Sequence, residues 1–212
     1  MVNIEEYINT ILQTKDRTLL ENLLYEYDGD NFNMNQIGDI LLAICDDKEY
    51  IKSFVANPNY GLTTYQKESI IARLGDDAFR DACIRGDAEG VDLEPFSRAR
   101  LYMTRDFENT EKKDEHIHAG LSGQLFGLDS YASEYFISEL SNPEDRKNYI
   151  LSESIPLDVR GKIALLNKMN DDDFTRQVVE TLKIDDYDER KKSCKCSVNC
   201  KKCRYKKKLY NE

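Results

Sequence analysis

The residues best suited by type and spacing to do chemistry lie in RKKSCKCSVNCKKCRYKKKLYNE, where Cys194, Cys196, Cys200 and Cys203 fall within ten residues. A Cys-x-Cys followed by a Cys-x-x-Cys supplies two chelating thiolate pairs, and thiolates favour a tetrahedral zinc site. Flanking lysines lower thiol pKa values and so present the ligating anionic form. Three residues separate Cys196 from Cys200, a tighter loop than the roughly dozen or more between the pairs of a usual zinc knuckle. A tail with free thiols, and disulfides after oxidation, therefore stand beside zinc as readings.

The same segment carries Lys191, Lys192, Lys195, Lys201, Lys202, Arg204, Lys206, Lys207 and Lys208. Such charges bind any polyanion through counterion release, so nucleic acid is the natural partner, with Tyr205 and Tyr210 available to stack on bases. They could equally dock on an acidic protein surface, including this chain's own body, or serve only as a solubilising or localisation segment.

Both histidines, His116 and His118, lie in ENTEKKDEHIHAGLSGQLFG, residues 108–127. With Asp114 and Glu115 they form a candidate zinc or iron site, since imidazole and carboxylate together suit those metals. A His-x-His pair chelates best on a strand, where alternate residues share a face, and nothing nearby reads as a strand. A solvated loop is the plainer expectation.

No Gly-rich phosphate loop, Gly-x-Ser-x-Gly elbow or His-Glu-x-x-His motif occurs, and Gly120, Gly123 and Gly127 have the spacing of neither nucleotide motif. The carboxylates are scattered over faces expected to be exposed. No catalytic residue is assigned and no small-molecule substrate is evident.

The elements that must carry these residues read as helices. Of 212 residues, 33% are charged and 40% hydrophobic, with 4 Pro and 10 Gly, a composition that favours helix and avoids breakers. No apolar run approaches the roughly 18 residues of a membrane span, and Met1 to Thr14 carries Glu5 and Glu6 instead of a basic leader. Six cysteines without a secretory signal imply a reducing compartment, so the protein is expected to be intracellular. Residues 1–189 carry a net −19 and residues 190–212 a net +9, two electrically opposite pieces of one chain.

Four segments of the acidic piece share a layout: MNQIGDILLAICDDKEYI from Met34, LTTYQKESIIARLGDDAF from Leu62, LEPFSRARLYMTRDF from Leu93 and LDVRGKIALLNKMNDDDF from Leu157. A helical stretch meets an acidic corner and then an aromatic, Tyr50, Phe79, Phe107 or Phe174, at separations of 29, 28 and 67 residues. The last gap equals one unit of 29 plus an enlarged unit of 38, which places a degenerate copy at Ser141-Asn142-Pro143-Glu144. Ile70, Ile71 and Leu74, and Ile163, Leu166 and Met169, are spaced to make apolar stripes. Asp76, Asn142 and Asp171 suit the N-caps of second helices, with Pro143 in a first turn, and Thr63, Ser130 and Asp158 suit those of first helices. Cys45 and Cys83 fall on apolar stripes and read as core.

Two-helix units of this kind cannot bury their stripes alone and gain stability by stacking. Over residues 30–184 the layout resembles a HEAT-like or armadillo-like array, with units shorter than the roughly 40–47 residues of those families. The expected fold is thus an all-α short solenoid of two-helix repeats. Residues 1–30 form a helical cap around Ile4, Ile8, Ile11 and Leu12 and then Leu19, Leu20, Leu23 and Leu24. Residues 31–189 form the array with its insertion, and 190–212 the tail.

The expected function is a non-enzymatic scaffold that binds a protein partner, with the tail tethering it to nucleic acid or a nucleoprotein assembly. One alternative is an acidic inhibitor that mimics nucleic acid and blocks a basic target. A weaker one is an enzyme acting at His116 and His118.

Overall fold

The computed structural model describes residues 4–26, 36–123 and 127–181, and among these the chain is all-α, with twelve α-helices and no strand. The helices come in pairs. They are α1 (Ile4–Thr14) and α2 (Arg17–Glu26), α3 (Ile37–Ile44) and α4 (Lys48–Ala56), α5 (Thr64–Arg73) and α6 (Asp77–Arg85), α7 (Pro95–Tyr102) and α8 (Thr110–Leu121), α9 (Ser130–Glu139) and α10 (Pro143–Leu151), and α11 (Val159–Met169) and α12 (Asp172–Thr181). No helix among the described residues is long and apolar enough to cross a membrane.

Side chains at the corners start the helices. Thr63 and Gln66 form a reciprocal capping box on α5, the Gln66 amide oxygen accepting from the Thr63 N–H at 2.7 Å. Asp158 caps α11, and Asn142 caps α10 with Pro143 at its first residue. On α9 the cap is Asp129, one residue ahead of the expected Ser130. The Ser130 hydroxyl instead accepts from the Asp158 N–H at 3.1 Å and so ties α9 to the start of α11.

Two compact units divide the chain, one of residues 1–108 with 118–128 and the other of residues 109–117 with 129–212. That division falls inside the stretch read from sequence as one array. In the first unit α1 packs on α3, α3 on α5 and α5 on α7, each first helix meeting the next. Ile11, Leu41, Ile70, Ile71 and Leu101 are almost wholly buried between them. In the second unit α9 packs on α11 around Phe136, Ile137, Leu165 and Leu166. Leu165, absent from the predicted stripe, is more deeply buried than its half-buried members Ile163 and Met169. Burial of each large aliphatic side chain contributes about 1.5–3 kcal/mol.

The two units share a local pattern at an offset of 95 residues. α4 to α6 and α10 to α12 align without a gap, and Gly75 (φ +64°) and Asn170 (φ +56°) both turn left-handed one residue before an aspartate. Glycine and asparagine are the residues that tolerate that conformation best.

One prediction fails here. Residues 110–121 of the supposed insertion loop are helix α8, begun by Asn109, whose side chain accepts from the Lys112 N–H at 2.8 Å. The spacing was read as broken because Phe107 lies ahead of the second helix instead of inside its first turn.

Candidate interaction surfaces

Asp47, Asp76 and Asp171 stand at the starts of α4, α6 and α12, where Asp76 accepts from the Phe79 N–H at 2.9 Å and Asp171 from the Phe174 N–H at 3.0 Å. In each case a cation from the second helix of the preceding pair reaches over the cap and the aromatic three residues beyond it. Lys52 of α4 lies 2.8 Å from the Asp76 carboxylate and 5.5 Å from the Phe79 ring centroid. Lys147 of α10 lies 3.0 Å from Asp171 and 5.4 Å from the Phe174 centroid. Arg17 of α2 lies 3.5 Å from Asp47 and 4.3 Å over the Tyr50 ring. Each latch joins a charge pair to a cation–π contact and so fixes one pair against the next.

The electrostatics follow. Lys52, and then the Phe79 N–H, hold the Asp76 carboxyl below its ordinary value of 3.8. The Phe174 N–H and then Lys147 do the same for Asp171, and the Tyr50 N–H leads at Asp47. The carboxylates of Asp76 and Glu49 push Lys52 up, as those of Glu144 and Asp171 push Lys147 up. Burial, and then the hydrogen bond it donates to Glu21 at 2.6 Å, raise the Tyr50 hydroxyl.

The same spacing recurs a third time with one member changed. Lys52, Arg80 and Lys147 each pair with an acid three residues before, Glu49, Asp77 and Glu144, and each precedes an aromatic by 27 residues. Where Asp76 and Asp171 would place a carboxylate, 24 residues after the cation, this register has Thr104. Arg80 Nε is buried with no hydrogen-bond partner. A groove of about 380 Å³ lies beside it, lined by Asp77, Arg80, Asp81, Thr104, Arg105 and Asp106. Arg105 pairs with Asp81 across the groove, and Asp106 is exposed. In the second unit a groove of about 530 Å³ runs along α10 and α12, with Glu144, Asp171 and Asp173 around Lys147, Leu151 and Phe174. Both grooves carry more carboxylates than cations.

The residues singled out from sequence fare differently. Cys194, Cys196, Cys200 and Cys203, and the basic residues from Lys191 to Lys208 with Tyr205, lie outside the described residues. His116 and His118 lie on α8, where residues two apart point about 200° away from each other. Glu115 pairs with Lys112 at 2.7 Å, and Asp114 accepts from the Ser141 N–H at 2.9 Å. Among the described residues no group of three or more His, Cys, Asp or Glu could hold a metal ion, which removes the metal reading of the insertion. Cys45 and Cys83 are free, buried thiols, the latter pushed up to about 12 by burial. Sequence reasoning missed the latch cations. Their signal was a lysine or arginine 27 residues ahead of Phe79, Phe107 and Phe174. No family model, no curated protein and no solved structure matches this chain.

Proposed function

We propose that the chain is a non-enzymatic interaction module of an intracellular compartment. Its units are short stacks of two-helix repeats of the HEAT-like or armadillo-like kind that bind a protein partner. Its Cys/Lys tail tethers the assembly to nucleic acid or a nucleoprotein, with zinc held by Cys194, Cys196, Cys200 and Cys203. The observation that carries this reading is the reversal of charge at residues 189 and 190, from −19 to +9. An acidic surface repels nucleic acid and steers basic proteins toward itself, while a basic strand does the opposite.

The stacking of α1, α3, α5 and α7, and the recurrence of one latch at equal spacing, support the repeat reading. The test compares the full chain with a chain ending at Glu189. Loss of one equivalent of zinc and of oligonucleotide binding on truncation is the expected result. Retention of nucleoprotein inhibition by the truncated chain, and its loss on charge reversal in the body, would sink tethering and favour the mimic.

A further inference from the structure

The first unit also carries an arginine fixed in place by a buried acid. Glu68, on α5, is buried, with its side chain 6% exposed, and its Oε1 lies 3.1 Å from Arg100 Nε on α7. Its Oε2 is buried with no hydrogen-bond partner. Burial raises the carboxyl, against the pull of Arg100 and a hydrogen bond from Ser97. An incompletely satisfied buried carboxylate costs stability. What this one accomplishes is to hold the inner edge of Arg100.

The outer edge of Arg100 faces solvent. Its side chain is 37% exposed, and its two terminal nitrogens have no hydrogen bond or ion pair among the described residues. Tyr65 and Phe96 flank it, with the guanidinium carbon 5.4 Å and 5.9 Å from their ring centroids. Both rings are exposed, Tyr65 at 51%. Each is the second residue of its helix. In the second unit the second residue of α9, Tyr131, is again exposed and again bears an arginine, Arg160.

A planar guanidinium held from behind, with its fork outward between two aromatic faces, is suited to bidentate recognition of a carboxylate next to an apolar side chain. Tyr and Arg are also the residues that dominate binding energy at protein interfaces. We infer that Tyr65, Phe96 and Arg100 form a docking site for an acidic-apolar peptide segment of a protein partner. The inference deepens the interaction-module reading and rests on it. A polypeptide is favoured over nucleic acid because a surface of −19 repels a polyanion along its length, whereas one carboxylate meets only the local field.

The test pans a displayed library of random peptides on the full chain. Recovered peptides are then titrated by fluorescence anisotropy against the wild type, Arg100→Lys and Tyr65→Ala. Arg100→Lys keeps the charge beside Glu68 and Tyr65→Ala removes an exposed ring, so both fold. Sequences pairing Asp or Glu with an apolar neighbour should be enriched. Their affinity should fall roughly tenfold in Arg100→Lys, which loses the fork, and equally when the peptide's acid becomes an amide. Enrichment of peptides without acids, no enrichment, or acidic peptides indifferent to both substitutions would overturn the site. Basic peptides insensitive to both would overturn it while leaving the interaction module standing. A single-stranded oligonucleotide that competes, and loses affinity in Arg100→Lys, would overturn the peptide assignment in favour of phosphate.

Discussion

Thr104→Asp should stabilise the protein, because it supplies the carboxylate that the third latch lacks. Arg80 Nε is buried and unpartnered, and a buried donor without an acceptor costs about 1–3 kcal/mol. The change also removes the hydrogen bond from the Thr104 hydroxyl to the Leu101 carbonyl, but that oxygen keeps the Thr104 N–H at 3.2 Å. The groove is open to water, which weakens any charge pair formed there. The lower end of the range is therefore expected, a gain of about 1 kcal/mol, or about 4 °C in Tm for a unit of this size. Urea unfolding followed by circular dichroism at pH 7 measures it. The new carboxyl, held down by Arg80, has a folded pKa below its unfolded value near 3.9. Its contribution is present above that value and disappears as the pH falls through the folded pKa. No gain at pH 7, or an equal gain when Arg80 is also changed to Met, would refute the equivalence of Lys52, Arg80 and Lys147.

Acid should weaken the native latches in the same sense. Asp47, Asp76 and Asp171 lie below 3.8 when folded, so their contribution is complete above that value and lost below it. Urea midpoints from pH 5 down to pH 2 should fall, and fall less in Asp76→Asn. Glu68 has the opposite sign, since its folded pKa is raised above 4.5. Glu68→Gln should be more stable than the wild type at pH 7, with the difference shrinking as the pH drops toward 4.5. Gly90→Ala should cost roughly 2–3 kcal/mol, because at φ +75° its new Cβ would lie 2.8 Å from the Ala56 carbonyl oxygen. Gly75→Asn should be nearly neutral by thermal unfolding, since Asn170 holds the equivalent left-handed turn.

How far the fold could be read from sequence depended on the range of the interactions. Caps act within four residues, so Thr63, Asp76, Asn142, Asp158 and Asp171 were legible from type and position. The miss at Ser130 is instructive, because Asp129 and Ser130 are both good caps. The choice between them was made by Asp158, whose N–H claims the Ser130 hydroxyl from 28 residues away. α8 was misread as a loop because the aromatic marker, Phe107, is displaced from the first turn of its helix. The Arg100 site was not legible. Nothing in the sequence shows that Glu68, 32 residues earlier, becomes buried beside Arg100 and turns its fork outward.

The latches also bear on how a chain of this charge folds and what it offers a partner. A net −19 works against compaction through self-repulsion. Here many scarce cations are used between or along helices. Arg17, Lys52 and Lys147 hold caps, Arg73 pairs with Asp39 between α3 and α5, Lys113 meets Glu139 at 2.7 Å, and Arg105 meets Asp81. Each such use subtracts a positive charge from the outward surface and leaves carboxylates such as Asp106 and Asp173 to define the field a partner meets. The long-range attraction is therefore toward basic proteins. Arg100 departs from that arrangement, since its only acid partner is buried behind it and its fork points away from the core. A partner drawn by the general acidic field and then held by a local acidic residue would be selected twice, by opposite signs of charge. Weak cationic binders would be excluded at the second step. Raising salt should accordingly slow association with the partner far more than it speeds dissociation from Arg100.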